Sequence, residues 1–408
     1  MNADPSLIMA AELLEEILDQ SAPADGALRR LFQRRGSGPG ERGRLGDLVF
    51  TVLRHKRLLE RRLDPLLPPE KRLTALVALA AETLAASEPS PPRLDPSATP
   101  QERCSLPDWL WESLVSQWGE EEALALGLAL NQPAATDLRV NRARIQREAL
   151  RTRLAALGVD ATPLPRTPNA LRLSGHPPIT TLEAFHQGLF EIQDEGSQWI
   201  VPLLAPRPGE TVVDLCAGGG GKTLHLAAWM GQKGRIIATD TDPKRLHQLS
   251  QRLRRLKNPN NLVRVIPLRH EGDPQLKPLA GKADAVLVDA PCSGTGTLRR
   301  RPEIKWWLTP QQVAAFHVRQ CALLDAASRL VRPGGRLVYA TCSLLRQENQ
   351  AVVESFLNEN LHFRPVPAIP ALASRGFEGI YSTQPYLTLL PHVAGCDGFF
   401  AALFQRNR

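Results

Sequence analysis

The sequence predicts an α/β protein whose C-terminal half is a doubly wound, mostly parallel sheet, preceded by a helical opening domain and a small α+β connecting domain. Three observations predict it. Apolar runs after residue 190 each lead into a helix-like segment, and they are nearly continuous, as strands buried on both faces are. Leu7, Ala10, Leu14, Ile17 and Leu18 repeat at helical spacing near the start. Five prolines between Pro89 and Pro100 separate the two patterns. At 408 residues, with 43% apolar and 23% charged side chains, the chain has material for two or three domains, which excludes wholesale disorder and a fibrous chain.

In chain order, residues 1–88 read as a helical domain, with helices over 7–20, 46–63 and 71–86. Residues 89–104 read as an extended proline-rich linker. Residues 105–188 form the connecting domain: a helix with Trp109, Trp111 and Trp118 as packing anchors, the strand-like LRVN at 138–141, then a helix bearing Arg142, Arg144, Arg147, Arg151 and Arg153 with one acid, Glu148. That run suits an RNA-facing surface and an ordinary solvated helix face equally. From 189 to 408, strands are expected at TVVDLC (211–216), GRIIATD (234–240), ADAVLVDA (283–290) and RLVYATCS (336–343, after Pro333-Gly334-Gly335), with a terminal strand at DGFFAALF.

Several function classes are excluded. Asp4, Glu12, Glu15, Glu16 and Asp19 spoil the order of a secretory signal, and no window approaches 18 uninterrupted apolar residues. Six cysteines without a CxxC pair and nine scattered histidines give neither a disulfide framework nor a metal site, so a reducing cytoplasm is expected. The net charge of +8 fits a nucleic-acid partner. Residues 1–185 hold 23 basic and 24 acidic side chains, the remainder 27 and 18, so the excess lies in the C-terminal half.

Asp214 ends a buried strand, and Cys216-Ala217-Gly218-Gly219-Gly220-Gly221-Lys222-Thr223 opens the next helix, so backbone N–H groups can approach a ligand with no Cβ in the way. Asp240 ends the following strand, 22 residues beyond Gly218, where a carboxylate can accept from ribose hydroxyls. A dinucleotide site, a P-loop and an S-adenosylmethionine site compete for this loop. Thr223 stands where the third glycine of GxGxxG would be, and Cys216 where a P-loop has its first glycine.

Downstream, Asp289-Ala290-Pro291-Cys292 follows one strand and Thr341-Cys342-Ser343 ends another. In a doubly wound sheet both thiols would face the ligand crevice. Two thiols beside one methyl donor imply cytosine C5 chemistry, because C5 becomes nucleophilic when a thiolate adds to C6, and a second group is useful when the thiol leaves again. Amino-group methylation instead typically shows a [DN]PP[YF] loop, where this chain has DAPC.

These residues carry a family resemblance. DLCAGGGGKT, DAPCSGTGTLRRRPEIKW, LVYATCSLLRQENQAVVESFL, LLPHVAGCDGFF and QDEGSQ at 193–198 resemble the RNA cytosine-5 methyltransferases of the NOL/Sun (Fmu) family, over about 190–400. The order of segments resembles the bacterial 16S ribosomal RNA member, whose opening domain is NusB-like. The resemblance implies a Rossmann-like methyltransferase domain, S-adenosyl-L-methionine as cofactor without a metal, and small-subunit ribosomal RNA as substrate of a cytoplasmic monomer needing no obligate protein partner and no membrane. It implies Cys342 as nucleophile on C6, Cys292 as the residue assisting release, Asp289 on the cytosine ring, and Lys222 near base and cofactor. Cofactor contacts carry over to Cys216, Ala217, Gly218, Gly219, Gly220, Gly221, Lys222, Asp240 and Asp289. The family's acid near the adenine falls on His270, with Asp273 a small shift away.

Relatives read Ala-Pro-Gly-Gly where this chain has four glycines, implying a looser loop and weaker cofactor binding, and the opening domain is short for a NusB-like one. Spacing alone does not rank the two cysteines. The same chemistry on transfer RNA, a non-catalytic RNA-binding assembly factor and an NAD-dependent oxidoreductase are the rival readings. Cys104, Cys216, Cys321 and Cys396 read as inert, His225 receives no role, and Phe399 and Phe400 read as structural. Arg299 to Trp307, with Lys305, Trp306 and Trp307, reads as an RNA contact with one tryptophan in the core. Arg54, Lys56, Arg57, Arg61 and Arg62 form a candidate RNA patch on the opening domain.

Overall fold

A computed structural model describes all residues except 1–3, 20, 37, 86–96, 257–260 and 380–384. The chain forms two compact units, one of Met1–Pro133 with Gly294–Pro310 and one of Ala134–Ser293 with Gln311–Arg408. This two-way division is coarser than the expected segments 1–88, 89–104, 105–188 and 189–408. Helices Asp108–Trp118 and Glu120–Leu130 group with the opening helices, and the small sheet groups with the large one.

The first unit opens with helices Pro5–Asp19, Ala24–Arg35, Pro39–Glu60 and Pro69–Ala85. Ala24–Arg35 was not legible because its arginines leave Ala24, Ala27 and Leu28 as its buried residues. Much of the expected linker lies outside the described residues. Its end, however, is the helix Pro100–Arg103, closed by a capping box in which Thr99 and Glu102 satisfy each other's backbone N–H.

Residues 294–310 are built into this unit, which corrects the reading of Lys305 as an RNA contact. The helix Pro39–Glu60 kinks at His55, which has φ −117° and ψ 20°, and Arg57 N–H donates to Ser105 Oγ at 2.8 Å. Beside the kink, Leu53 O receives Trp306 Nε1 at 2.8 Å and Arg54 O receives Lys305 Nζ at 2.9 Å. Lys305 also donates to Asn131 Oδ1 at 2.8 Å, and both tryptophans pack on the apolar core of the opening helices. Partly burying two indoles and closing two helix carbonyls favours this placement.

The side chains of the candidate RNA patch also have partners within the unit. Arg54 reaches Arg299 O, and Lys56, Arg57, Arg61 and Arg62 pair with Glu60, Asp108, Glu102 and Glu82.

The second unit holds twelve strands among the described residues. β1 (Asp137–Val140), β2 (Ala161–Pro163), β3 (Ala170–Leu173) and β4 (Phe190–Ile192) form an antiparallel sheet in the order β2-β3-β1-β4. The large sheet comprises β5 (Thr211–Asp214), β6 (Arg235–Asp240), β7 (Val263–Pro267), β8 (Ala283–Asp289), β9 (Val331–Thr341), β10 (Phe363–Val366), β11 (Leu387–Leu389) and β12 (Phe399–Arg406). Its order is β10-β12-β9-β8-β5-β6-β7, with β11 also on β12. β9, β8, β5, β6 and β7 pair in parallel; β12 pairs antiparallel with β9, β10 and β11.

Side chains alternate between two cores. Val212, Ile236, Leu287 and Val338 enter one, and their neighbours Val213, Ile237, Val286 and Leu337 enter the other. Both faces are covered by helices, which is why these strands read as continuous apolar runs. β9 begins earlier than expected, running through Pro333-Gly334-Gly335. Gly334 takes φ +73°, and a register shift between Ala283 and Ala285 absorbs the extra residues.

Two outcomes follow. Trp306→Phe removes the donor to Leu53 O and is expected to cost the first unit about 1–3 kcal/mol, read as a lower midpoint in chemical denaturation. Asp214, fully buried at the end of β5, has its carboxyl raised to about 7, chiefly by burial, while the Thr223 hydroxyl at 2.7 Å opposes the shift. The folded chain therefore keeps a proton that the unfolded chain releases near pH 4, so stability falls as pH rises from about 4 to 7. Asp214→Asn removes that loss, and its melting temperature relative to wild type is expected to climb between pH 5 and pH 8. A difference independent of pH contradicts this.

Candidate active site

Strand order places the site. β5 lies between β8 and β6 in the parallel set, and the chain leaves it in one direction toward β6 and later returns on the other side as β8, which opens a crevice beyond the carboxyl ends of the strands. The glycines, Cys292 and Cys342 lie in the loops after β5, β8 and β9, and Asp240 ends β6.

The glycine loop needs its glycines at two positions. Gly218 and Gly220 take φ +53° and +87°, and a Cβ at Gly220 would stand 2.3 Å from Leu249 Cδ1. Gly218 N–H donates to Asp240 Oδ2 and Asp242 N–H to Asp240 Oδ1, both at 2.8 Å, so Asp240 is held at the loop with lone pairs left for further donors. Two arginines hold the loop's carbonyls: Arg252 Nη1 donates to Gly219 O at 2.7 Å, and Arg139 Nη1 to Gly221 O at 2.8 Å. Arg139 comes from the LRVN strand and is fully buried, which lowers its guanidinium to about 9. The loop is thus anchored by side chains, contrary to the expectation that four glycines leave it loose. Helix Gly221–Trp229 continues from it, with Lys222 in its first turn.

Lys222 Nζ donates to Asp289 Oδ2 at 2.7 Å and lies 5.4 Å from the centre of the Phe399 ring. Phe399 and Phe400 are core residues of β12, as expected. Cys292 and Cys342 meet, Sγ to Sγ, at 3.4 Å. Elsewhere, burial pushes the Cys216 and Cys396 thiols well up and Cys104 to about 12. His225 is buried beside Trp229 and held far below the usual imidazole range, which suits a packing residue.

The adenine-side expectation divides. Asp273 accepts from Arg269 N, Arg269 Nε and Gln275 N, each at 3.0 Å, and so acts as the cap of the short helix Pro274–Leu279. That occupation argues against it as an adenine acceptor. His270 is exposed in the loop after β7. Among the arginines of 142–153, Arg144 ties Gln187 O and Leu256 O, and Arg147 and Arg151 share Glu148.

Three site residues were not read from the sequence: Arg139, Arg252 and Glu348. Arg139 lay inside a motif taken as a strand, and Arg252 inside a basic amphipathic helix. Glu348, buried between the loops of Cys292 and Cys342, follows Cys342 by six residues and carries no pattern that marks it. Among the described residues no group of three His, Cys, Asp or Glu side chains could hold a metal ion, and no helix is long and apolar enough to cross a membrane.

Comparison with known proteins places this geometry. A family model described as 16S rRNA methyltransferase RsmB/F matches residues 201–405, and one described as the Methyltr_RsmF/B-like, ferredoxin-like domain matches 106–180. The chain is 38% identical over 309 residues to the probable ribosomal RNA small subunit methyltransferase B of Synechocystis sp. (strain PCC 6803), covering 75% of this chain and 68% of that one. It is 36% identical to ribosomal RNA small subunit methyltransferase B of Erwinia tasmaniensis, covering 72% and 65%. The chain thus spans about two thirds of the length of these relatives. Among solved structures, that of PH0851 matches with a TM-score of 0.79 at 27% identity over all of both chains. A methyltransferase homolog protein from Pyrococcus horikoshii matches with a TM-score of 0.62 at 30% identity, over 75% and 97%. With a family model over half its length and a relative 38% identical over three quarters of it, the chain belongs to the NOL/Sun family of ribosomal RNA cytosine-5 methyltransferases, in the RsmB/F branch.

Proposed function

We propose that this chain transfers a methyl group from S-adenosylmethionine to C5 of a cytosine in RNA, with 16S ribosomal RNA as substrate, through a covalent adduct between Cys342 and C6. The observation that carries the reading is the approach of two thiols, 3.4 Å apart, beside the Lys222–Asp289 pair at the carboxyl ends of β8 and β9. An assembly factor that only binds RNA has no use for that arrangement.

The residues present fit the cofactor. Gly218 and Gly220 take positive φ, and a Cβ at either would press on Arg245 or Leu249, so the loop keeps bare backbone N–H groups beside Asp240, which has acceptor capacity for ribose hydroxyls. Cys216 to Lys222 and Asp240 would hold the cofactor, with Asp289 nearby and His270 on the adenine side. When bound, S-adenosylmethionine supplies an electrophilic methyl group.

The chain's own residues do the rest. The Cys342 thiolate adds to C6, which breaks the C5–C6 double bond and moves the electron pair to C5. Asp289 and Lys222, 2.7 Å apart, place an acceptor and a donor beside the cytosine ring, where the amino group and N3 need them. After C5 is methylated, a base takes the C5 proton, the double bond reforms and the C6–S bond breaks, returning the thiolate. Cys292, in van der Waals contact with Cys342, assists this release. The ring must leave its stack to reach the crevice.

We read the opening helices as a shortened NusB-like domain, residues 105–188 as the connecting domain, and the protein as a cytoplasmic monomer. Cys342→Ser is expected to lower methyl incorporation into 16S ribosomal RNA by at least about 1,000-fold while leaving S-adenosylmethionine affinity within about threefold. Mapping of 5-methylcytosine in ribosomal and transfer RNA after incubation with wild type decides the substrate; modified transfer RNA with unmodified 16S RNA overturns the ribosomal assignment.

A further inference from the structure

Glu348 has none of the roles above, yet it touches both cysteine loops. It is fully buried, at the end of the turn Arg346–Glu348, which Tyr339 of β9 fixes by donating to Glu348 O at 2.6 Å. Its Oε1 receives Ser293 N–H at 2.8 Å and Gln320 Nε2 at 3.0 Å. Its Oε2 receives the hydroxyls of Ser293 and Ser343. Four donors match the acceptor capacity of the two carboxyl oxygens.

Ser293 follows Cys292 and Ser343 follows Cys342, so one side chain spans the two loops. Its neighbours complete the hold. Gln320 also donates to Pro291 O at 3.0 Å, fixing the other flank of Cys292. Asn349 accepts from the Thr341 hydroxyl and donates to Ser343 O at 2.9 Å, fixing both flanks of Cys342. The loops leave different strands, and each has freedom of its own beyond the last sheet hydrogen bond. Bonds to a charged acceptor are stronger than neutral ones, and removing the acceptor leaves buried donors unmet.

We propose that Glu348 is a positioning residue that sets the separation of Cys292 and Cys342 through Ser293 and Ser343. The proposal rests on the reading of those thiols as nucleophile and release group, and it adds what holds them in register. Glutamine can serve in part: its oxygen keeps Ser293 N–H and Gln320, and its NH2 can donate to two serine hydroxyls turned to accept. Alanine cannot.

The test reads the thiol pair directly in the full chain. Wild type, Glu348→Ala, Glu348→Gln and, as a control, Glu354→Ala are equilibrated in glutathione redox buffers, and the Cys292–Cys342 disulfide is quantified by mass spectrometry. Two protein thiols become one disulfide as glutathione disulfide is reduced to two thiols. Glu348→Ala is expected to lower the equilibrium constant for the disulfide at least about tenfold, Glu348→Gln by no more than about threefold, and Glu354→Ala not at all. In steady-state assays kcat of Glu348→Ala is expected to fall about 100-fold while KM for RNA and cofactor affinity stay within about threefold.

A disulfide equilibrium in Glu348→Ala within about twofold of wild type overturns the proposal. If that variant does not fold, the Ser293→Ala/Ser343→Ala double variant, in which Gln320 and the residue 293 N–H still serve Glu348, is read the same way, and a wild-type equilibrium there overturns the proposal equally. A shifted disulfide equilibrium in a series where wild type itself methylates no RNA supports the clamp and defeats the functional reading alone.

Discussion

Parallel pairing of β6, β5, β8 and β9 brings the carboxyl ends of four strands to one edge, and each group of the candidate site hangs from that edge. β8 and β9 are paired up to Asp289 and Ala340, so the sheet carries the two cysteine loops out side by side. β5 pairs with β8 and β6, which sets the glycine loop between the Lys222–Asp289 contact and Asp240. Helices on both faces keep water from these strands, and the strands' apolar side chains alternate between two cores.

Beyond the edge, the chain spends buried polar groups to fix loops that have no sheet of their own. Arg139 and Arg252 fasten the carbonyls of the glycine loop from outside it; Glu348, Gln320 and Asn349 fasten the cysteine loops. Each carries a desolvation cost that is recovered only when its partners are in place. Pre-organisation of this kind shortens the search for a reactive geometry, because the groups need not be ordered again when RNA arrives. Within the first unit, Lys305 and Trp306 close carbonyls at the His55 kink in the same manner.

What the sequence revealed follows from which forces are local. Strand and helix periodicity, the glycine loop and both cysteines were legible, because buried parallel strands are continuous apolar runs and the loop chemistry is written in adjacent residues. β7 and β10 were not, being short and partly exposed, and β11 is only three residues long. Lys305 was misread because a basic, aromatic run has the composition of an RNA contact, whereas its burial depends on a carbonyl some 250 residues away. Arg139, Arg252 and Glu348 were invisible for the same reason: their partners lie 82, 33 and 55 residues distant. Side-chain ties between remote segments leave no period.

The central claim is covalent catalysis by Cys342 with release assisted by Cys292. The direct measurement incubates wild type, Cys292→Ala and Cys342→Ala with S-adenosylmethionine and 16S ribosomal RNA and resolves protein with attached RNA on denaturing gels. The account predicts that the shifted band accumulates with Cys292→Ala and is absent with Cys342→Ala, because the first variant forms the C6 adduct and fails to release it. Accumulation with Cys342→Ala instead would contradict the assignment of the two thiols, and no adduct with any variant would contradict the covalent mechanism itself.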